Sequence, residues 1–428
     1  MGTELQRNRV PGTWAVIAVV ATLMAGCAVD RRVLRTEELE HKRQAYIARV
    51  EREQAEACDT IMRRWEKEFD DHQAGRSTEP PHADMLVLSG GGDYGAFGAG
   101  FLQGWGKAPD GPLRRPREFD VVTGVSTGAL IAPFAFIGDQ ASYEDVTRLY
   151  REPKEDWVKL DGLLFFLPGR ASFLNTEGLQ RDIRLHINAG VVEKIAQGYA
   201  DHRLLAIGTT DLDLGVTTAW NLTAEAAAAC GSGDLGRVHK VLLASAAIPA
   251  AFPPVVIDDT LYVDGGTSAN ILYSWDMLSS ETPRAVWRRR YPDRPIPRMR
   301  YWVIINNQFS AAPQAVQPNW PSITGASVST AIRSSTLGSL RFLALQAEHI
   351  RRTEKLDIEM YYVAIPDDWR PPKPGIFVKE TMDSLADLGL RMGLDPNSWH
   401  RYEFSVRAPL DPFGRAPADT PDTENQYR

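Results

Sequence analysis

From Asp30 to about Asp71 the chain is rich in charge and free of Gly and Pro. Leu34, Leu39, Tyr46, Val50, Ala57, Met62, Trp65 and Phe69 recur there at roughly helical intervals, which predicts one long amphipathic helix. A coiled-coil partner helix is one reading; the irregular repeat favours a spacer packing one stripe against a main domain. A Pro- and Gly-containing linker follows, Gly75 to His82. Beyond Asp84 the pattern changes to short apolar runs alternating with helical periods. Predicted strands are Met85–Ser89, Phe119–Val125, Arg203–Thr210, Tyr301–Ile305 and Ile358–Ala364, with a hairpin from Val255 to Val263 about Asp258-Asp259. Predicted helices are Gly95–Trp105, Thr127–Ile137, Val238–Ala247 (stopped by Pro249), residues 324–352 and Thr381–Gly393. This alternation predicts an α/β fold: a mainly parallel central sheet flanked by helices on both faces, carrying an N-terminal helical extension. A polar tail follows Pro412.

Composition changes this picture little. With 428 residues, 43% hydrophobic and 24% charged, the chain is an ordinary globular protein able to bury a large core. The net charge of −7 and the lack of a basic stripe interleaved with aromatics argue against a nucleic-acid partner. A solvated loop explains the Arg288–Arg290 cluster as well as any binding role does. At the start, Arg7 and Arg9 precede an apolar run from Trp14 to Ala25, too short to span a bilayer comfortably. Met24-Ala25-Gly26-Cys27 then resembles a bacterial lipoprotein signal, although Leu is more usual where Met24 stands. That resemblance implies a signal peptide over residues 1–26 and lipidation at Cys27. Ala28 in place of Asp further implies an outer-membrane, periplasm-facing address. An ordinarily cleaved signal and an apolar N-terminal strand are the alternatives. The expected organisation is then a spacer and linker over 27–82, a catalytic domain over 83–410 and a tail over 411–428. Cys58 and Cys230 remain; an exported location permits a disulfide, but two inert thiols are the simpler expectation. No Cys/His grouping has metal-ligand spacing, so neither a metal nor another cofactor is expected.

Three segments carry the chemistry. Asp120-Val-Val-Thr-Gly124-Val-Ser126-Thr-Gly128 reads as a buried strand, a tight turn and an apolar helix. Gly on either side lets Ser126 occupy a strained strand-to-helix turn with its oxygen exposed at the helix start, the placement of a nucleophile. A small polar residue in a turn is the plainer alternative. Upstream, Gly90-Gly91-Gly92-Asp93-Tyr94-Gly95 joins a strand to a helix and can turn its amides inward as an anion cradle. A nucleotide phosphate would need a Lys-Ser/Thr ending or a downstream ribose-binding acid, and neither is convincing here. An oxyanion needs a nucleophile nearby, and Ser126 ends the next strand. The third segment is Tyr262-Val-Asp264-Gly265-Gly266, an acid at a strand end, preceded by Ser245 to Pro254, which redirects the chain. An Asp opening a turn is the commonplace reading of Asp264.

In this order, over roughly Asp84 to Asn270, these blocks and Asp211-Leu-Asp-Leu-Gly215 resemble the patatin-like phospholipase family. The resemblance implies a patatin-like three-layer fold and a Ser126–Asp264 dyad. It also implies an oxyanion hole from Gly90, Gly91 and Gly92, with Gly95, Gly124, Gly128, Gly265 and Gly266 as motif glycines. Tyr94 departs from it, because Arg or Lys is usual there. The implied function is a lipid acyl hydrolase working through an acyl-enzyme, with membrane lipids as substrates. The chemistry is consistent with this: a serine hydroxyl needs a base, and a buried Asp acquires a pKa better matched to that task than the usual ~3.9. A histidine-dependent serine esterase or protease is the alternative, although His349 and His400, the histidines beyond Asp264, lack motif context. A non-catalytic lipid-binding lipoprotein is another. Leu163-Leu-Phe-Phe-Leu167 with Pro168-Gly169 reads equally as an acyl-binding flap and as a core element.

Overall fold

The computed structural model describes residues 31–157, 159–160, 174–272, 281–310, 313 and 315–402. Cys27, the signal segment, the Leu163–Leu167 run and the tail lie outside the described residues. The long N-terminal helix α1 (Thr36–Gln73) is followed by strand β1 (His82–Leu88), helix α2 (Gly95–Trp105), β2 (Val121–Val125), α3 (Thr127–Ile137) and α4 (Gln140–Arg151). A two-residue ribbon, β3 (Lys159–Leu160) with β4 (Leu174–Asn175), leads to α5 (Glu177–His186) and α6 (Ala189–Ala200). Then come β5 (Leu204–Asp211), β6 (Val216–Asn221), α7 (Leu222–Ser232), α8 (Gly236–Ser245), β7 (Val255–Ile257) and β8 (Thr260–Asp264). The last third contributes α9 (Pro283–Arg290), β9 (Arg298–Ile305), α10 (Trp320–Glu354), β10 (Ile358–Ala364), α11 (Lys379–Leu394) and β11 (His400–Arg401).

Nine strands form one sheet in the order β11-β10-β9-β1-β2-β5-β8-β7, with β6 on the free edge of β5. The centre, from β10 to β5, is parallel, and the strands beyond it on both sides are antiparallel. Thus the expected mainly parallel, helix-covered sheet is present. Along β1 and β9 the faces alternate strictly. Leu86, Leu88, Trp302 and Ile304 join the core under α2, α3 and α11, while Val87, Tyr301, Val303 and Ile305 pack against α10 on the other side. The pattern left β6 and helices α4 to α7 unassigned; β6 is a Thr-rich edge strand with only alternate residues buried. Arg288–Arg290 form the last turn of helix α9 rather than a loop.

Helix α1 packs on the sheet as the irregular stripe suggests. Its second half buries Met62, Trp65 and Phe69 against Trp287 of α9, with Trp65 edge-on at 5.6 Å and Phe69 stacked at 5.3 Å. Buried Arg64 donates to Asp120 at 2.6 Å, just before β2. At the opposite end, Arg31 makes a bidentate pair with Asp213 at 2.8 and 2.7 Å, and Lys42 bridges Asp211 and Asp213. The Asp211–Gly215 turn therefore fastens the start of the helical extension to the C-terminal end of β5.

One register feature determines the site. β2 runs along the first part of one edge of β5, pairing Val125 with Gly208. β8 continues along that same edge in the opposite direction, pairing Asp264 with Thr209. Successive rungs lie about 3.3 Å apart along a strand, so the end of β2 and the end of β8 meet head to head.

Candidate active site

Ser126 is the residue between β2 and α3, with φ 55° and ψ −125°. A non-glycine residue seldom adopts a positive φ, and such a turn stores about 1–3 kcal/mol held by its surroundings. The restraint is visible: the Ser126 N–H donates to Ser245 Oγ at 2.9 Å, and that hydroxyl donates to the Gly208 carbonyl at 2.6 Å. Buried Ser245, at the end of α8, thus bolts the turn to β5. Ser126 itself is buried at the positive end of α3.

Asp264 arrives from the other direction. Its N–H donates to the Ala247 carbonyl at 2.9 Å, and its Oδ1 accepts from the Gly266 N–H at 2.7 Å. Oδ2 is buried and makes no full hydrogen bond among the described residues. Burial pushes the Asp264 carboxyl up to about 7; the facing Ser126 hydroxyl and the Gly266 amide oppose that rise without cancelling it. The structure therefore juxtaposes a serine and a carboxylate whose unsatisfied oxygen favours taking up a proton.

The glycine loop lies against this pair. A Cβ on Gly90 would fall 2.9 Å from the Ser126 Cβ, and one on Gly91 would fall 2.0 Å from the Asn306 carbonyl oxygen. No side chain fits at Gly91, so its backbone can run directly under the site. The Gly90 N–H is already committed to the Asn270 carbonyl at 3.3 Å, whereas the Gly91 and Gly92 amides donate no hydrogen bond among the described residues. Gly95 faces Thr127 and Tyr150, Gly124 and Gly128 abut one another and the end of β1, Gly265 lies on Gly208, and Gly266 sits beside Asp264 and Asn270.

Two asparagines that the sequence did not single out hold the loop. Asn306, just after β9, donates through Nδ2 to the Ser89 carbonyl at 2.8 Å and accepts the Gly98 N–H at 3.0 Å. Asn270 donates through Nδ2 to the Gly90 carbonyl at 3.3 Å and to Thr336 Oγ1 at 2.6 Å, and its N–H reaches Ser335 Oγ at 3.0 Å. The first half of α10 is thereby tied to the loop.

A narrow apolar cavity of about 90 Å³ opens beside Ser126. Its walls include Leu130, Phe134, Leu149, Ile183, Phe252 and Phe377. Phe377 (φ 55°) is positioned by its N–H, which donates to Asp93 Oδ2 at 3.0 Å, and its ring meets Trp157 edge-on at 6.0 Å. Tyr94 is half-buried and packs edge-on against Trp369 at 5.5 Å, occupying its place as an aromatic rather than a cation. Of the eight histidines, His186 lines this cavity; burial lowers its pKa. His349 and His400 are exposed. A larger apolar cavity of about 510 Å³ lies elsewhere, between α1, the sheet and α10, without Ser126 or Asp264 in its wall. Cys58 and Cys230 do not pair. Among the described residues no cluster of His, Cys, Asp or Glu could hold a metal, and no helix is long and apolar enough to cross a membrane.

An α/β sheet, a strained serine turn at its C-terminal edge, a glycine-rich loop and an acid on the adjoining strand define one class of protein. Residues 86–274 match the family model of patatin-like phospholipases. The family places the domain among lipid acyl hydrolases in general. No curated protein matches the chain. Among solved structures, VipD from Legionella pneumophila is similar at 12% identity. The likeness covers 76% of this chain and 68% of that one with a TM-score of 0.33, which is too low to inform function.

Proposed function

We propose that this protein hydrolyses acyl esters of membrane lipids through Ser126 and Asp264. Asp264 takes the proton of the Ser126 hydroxyl as the serine oxygen attacks the ester carbonyl. The Gly91 and Gly92 amides receive the oxyanion, and Gly90 shapes the loop. The alcohol leaves with a proton returned from Asp264. Water, deprotonated by the same carboxylate, then cleaves the acyl-enzyme and frees the fatty acid. The acyl chain lies in the cavity beside Ser126. The observation carrying this reading is the head-to-head placement of β2 and β8 along β5, which puts a buried, proton-seeking carboxylate beside a strained serine. We also propose that Cys27 is lipidated and holds the protein at the outer membrane facing the periplasm.

The test is labelling with a fluorophosphonate probe, combined with mass-spectrometric profiling of products from mixed bacterial lipids. Wild type should label at Ser126 and release fatty acids; Ser126→Ala should do neither. Because His186 lines the cavity, a histidine base is a second reading. Loss of turnover in His186→Gln with Asp264→Asn active would establish it instead.

A further inference from the structure

Arg333 has no ion pair and no hydrogen bond among the described residues, although it is half-buried and its Nε is fully enclosed. A guanidinium in such surroundings is normally paired. It lies on α10 one turn before Thr336, and residues three apart share a helix face. That face points at the glycine loop, since Thr336 binds Asn270, which in turn binds Gly90. Arg333 also acts electrostatically on Tyr94 at the end of that loop. No counter-ion is available nearby in sequence: from Tyr301 to Ala347 there is no Asp or Glu, in a chain holding 55 of them. The first half of α10 is thus a cationic, acid-free rim beside a site otherwise lined with apolar groups.

On the hydrolase reading above, we propose that Arg333 is the binding site for the phosphate of a glycerophospholipid substrate. Its fork of N–H donors matches a phosphodiester, whose charge satisfies the guanidinium left without a partner. A neutral acyl ester has nothing to offer it. Arg333 lies outside residues 86–274, so this recognition belongs to the chain's own C-terminal third.

The experiment compares wild type, Arg333→Ala and Arg333→Lys on phosphatidylglycerol, on diacylglycerol in the same mixed micelles, and on soluble p-nitrophenyl butyrate. A lost charge-assisted phosphate contact predicts about a 10- to 100-fold rise in KM for the phospholipid in Arg333→Ala, with the two neutral esters within twofold of wild type. Arg333→Lys should recover part of the loss, and glycerophosphate should inhibit wild type more strongly than Arg333→Ala. Equal losses on all three substrates, or an unchanged KM for phosphatidylglycerol, overturn the assignment. Failure of wild-type Ser126 to label with a fluorophosphonate overturns the hydrolase reading itself, and this proposal with it.

Discussion

Replacing Asp264 with Asn should stabilise the protein while abolishing its turnover, and the size of the first effect should depend on pH. Burial raises the Asp264 carboxyl from 3.8 to about 7. Between those values the native state keeps a proton that the unfolded chain has lost. The free energy of unfolding therefore falls as pH rises through this window and levels off above it. A rise of about three pKa units corresponds to about 4 kcal/mol of destabilisation at pH 8. Asn is neutral throughout and its Oδ1 can still accept the Gly266 N–H. Asp264→Asn should therefore match wild type near pH 4 and exceed it by several kcal/mol at pH 8. Urea unfolding at pH 5, 6, 7 and 8 measures the difference. Turnover of a soluble ester should fall about 100- to 10,000-fold, the usual contribution of a general base. In wild type, kcat/KM should climb with pH and plateau above about 7. A stability difference that stays constant with pH would refute the assignment of a strained, desolvated carboxylate.

Other outcomes follow from the same geometry. Ser126→Gly should be more stable than Ser126→Ala by about 1 kcal/mol in thermal melts, because only Gly is at ease at φ 55°. Ser245→Ala leaves the Ser126 N–H and the Gly208 carbonyl without their bridge. It should cost about 2–4 kcal/mol in denaturant unfolding and slow fluorophosphonate labelling. His186→Gln should keep turnover within a few-fold of wild type. Phe377→Ala enlarges the cavity beside Ser126, so the ratio of dodecanoyl to hexanoyl ester hydrolysis should rise at least tenfold, about fourfold per newly buried methylene.

The serine turn, the glycine loop and Asp264 were readable in the sequence because each is a local pattern of glycines at the end of a strand. The 35-residue α10 and the long α1 were readable for a different reason: sustained helical periodicity. What joins the reactive groups has no local signature. Gly208 and Thr209 are ordinary strand residues until two other strands end against them. Ser245, Asn270 and Asn306 are single polar residues whose partners lie 119, 180 and 217 positions away. Arg333 and Phe377 act from elements well removed from the motif blocks, brought to the site by the β9–α10–β10 crossover and the loop before α11. Tyr94 is the informative departure: the position is filled by an aromatic packed on Trp369, and a cation stands near it from another helix.

The ion pairs that fasten Arg31 and Lys42 to the Asp211–Gly215 turn also orient the molecule. Asp211 lies two residues beyond Thr209, on the edge of the sheet where Ser126 opens. Arg31 therefore lies at the end of the sheet where Ser126 stands. Three residues lie between Cys27 and Arg31, and four Cα-to-Cα steps reach at most about 14 Å when fully stretched. An acyl group attached there would hold the mouth of the site toward the leaflet in which it is embedded, so the enzyme would graze its own membrane rather than an opposing one.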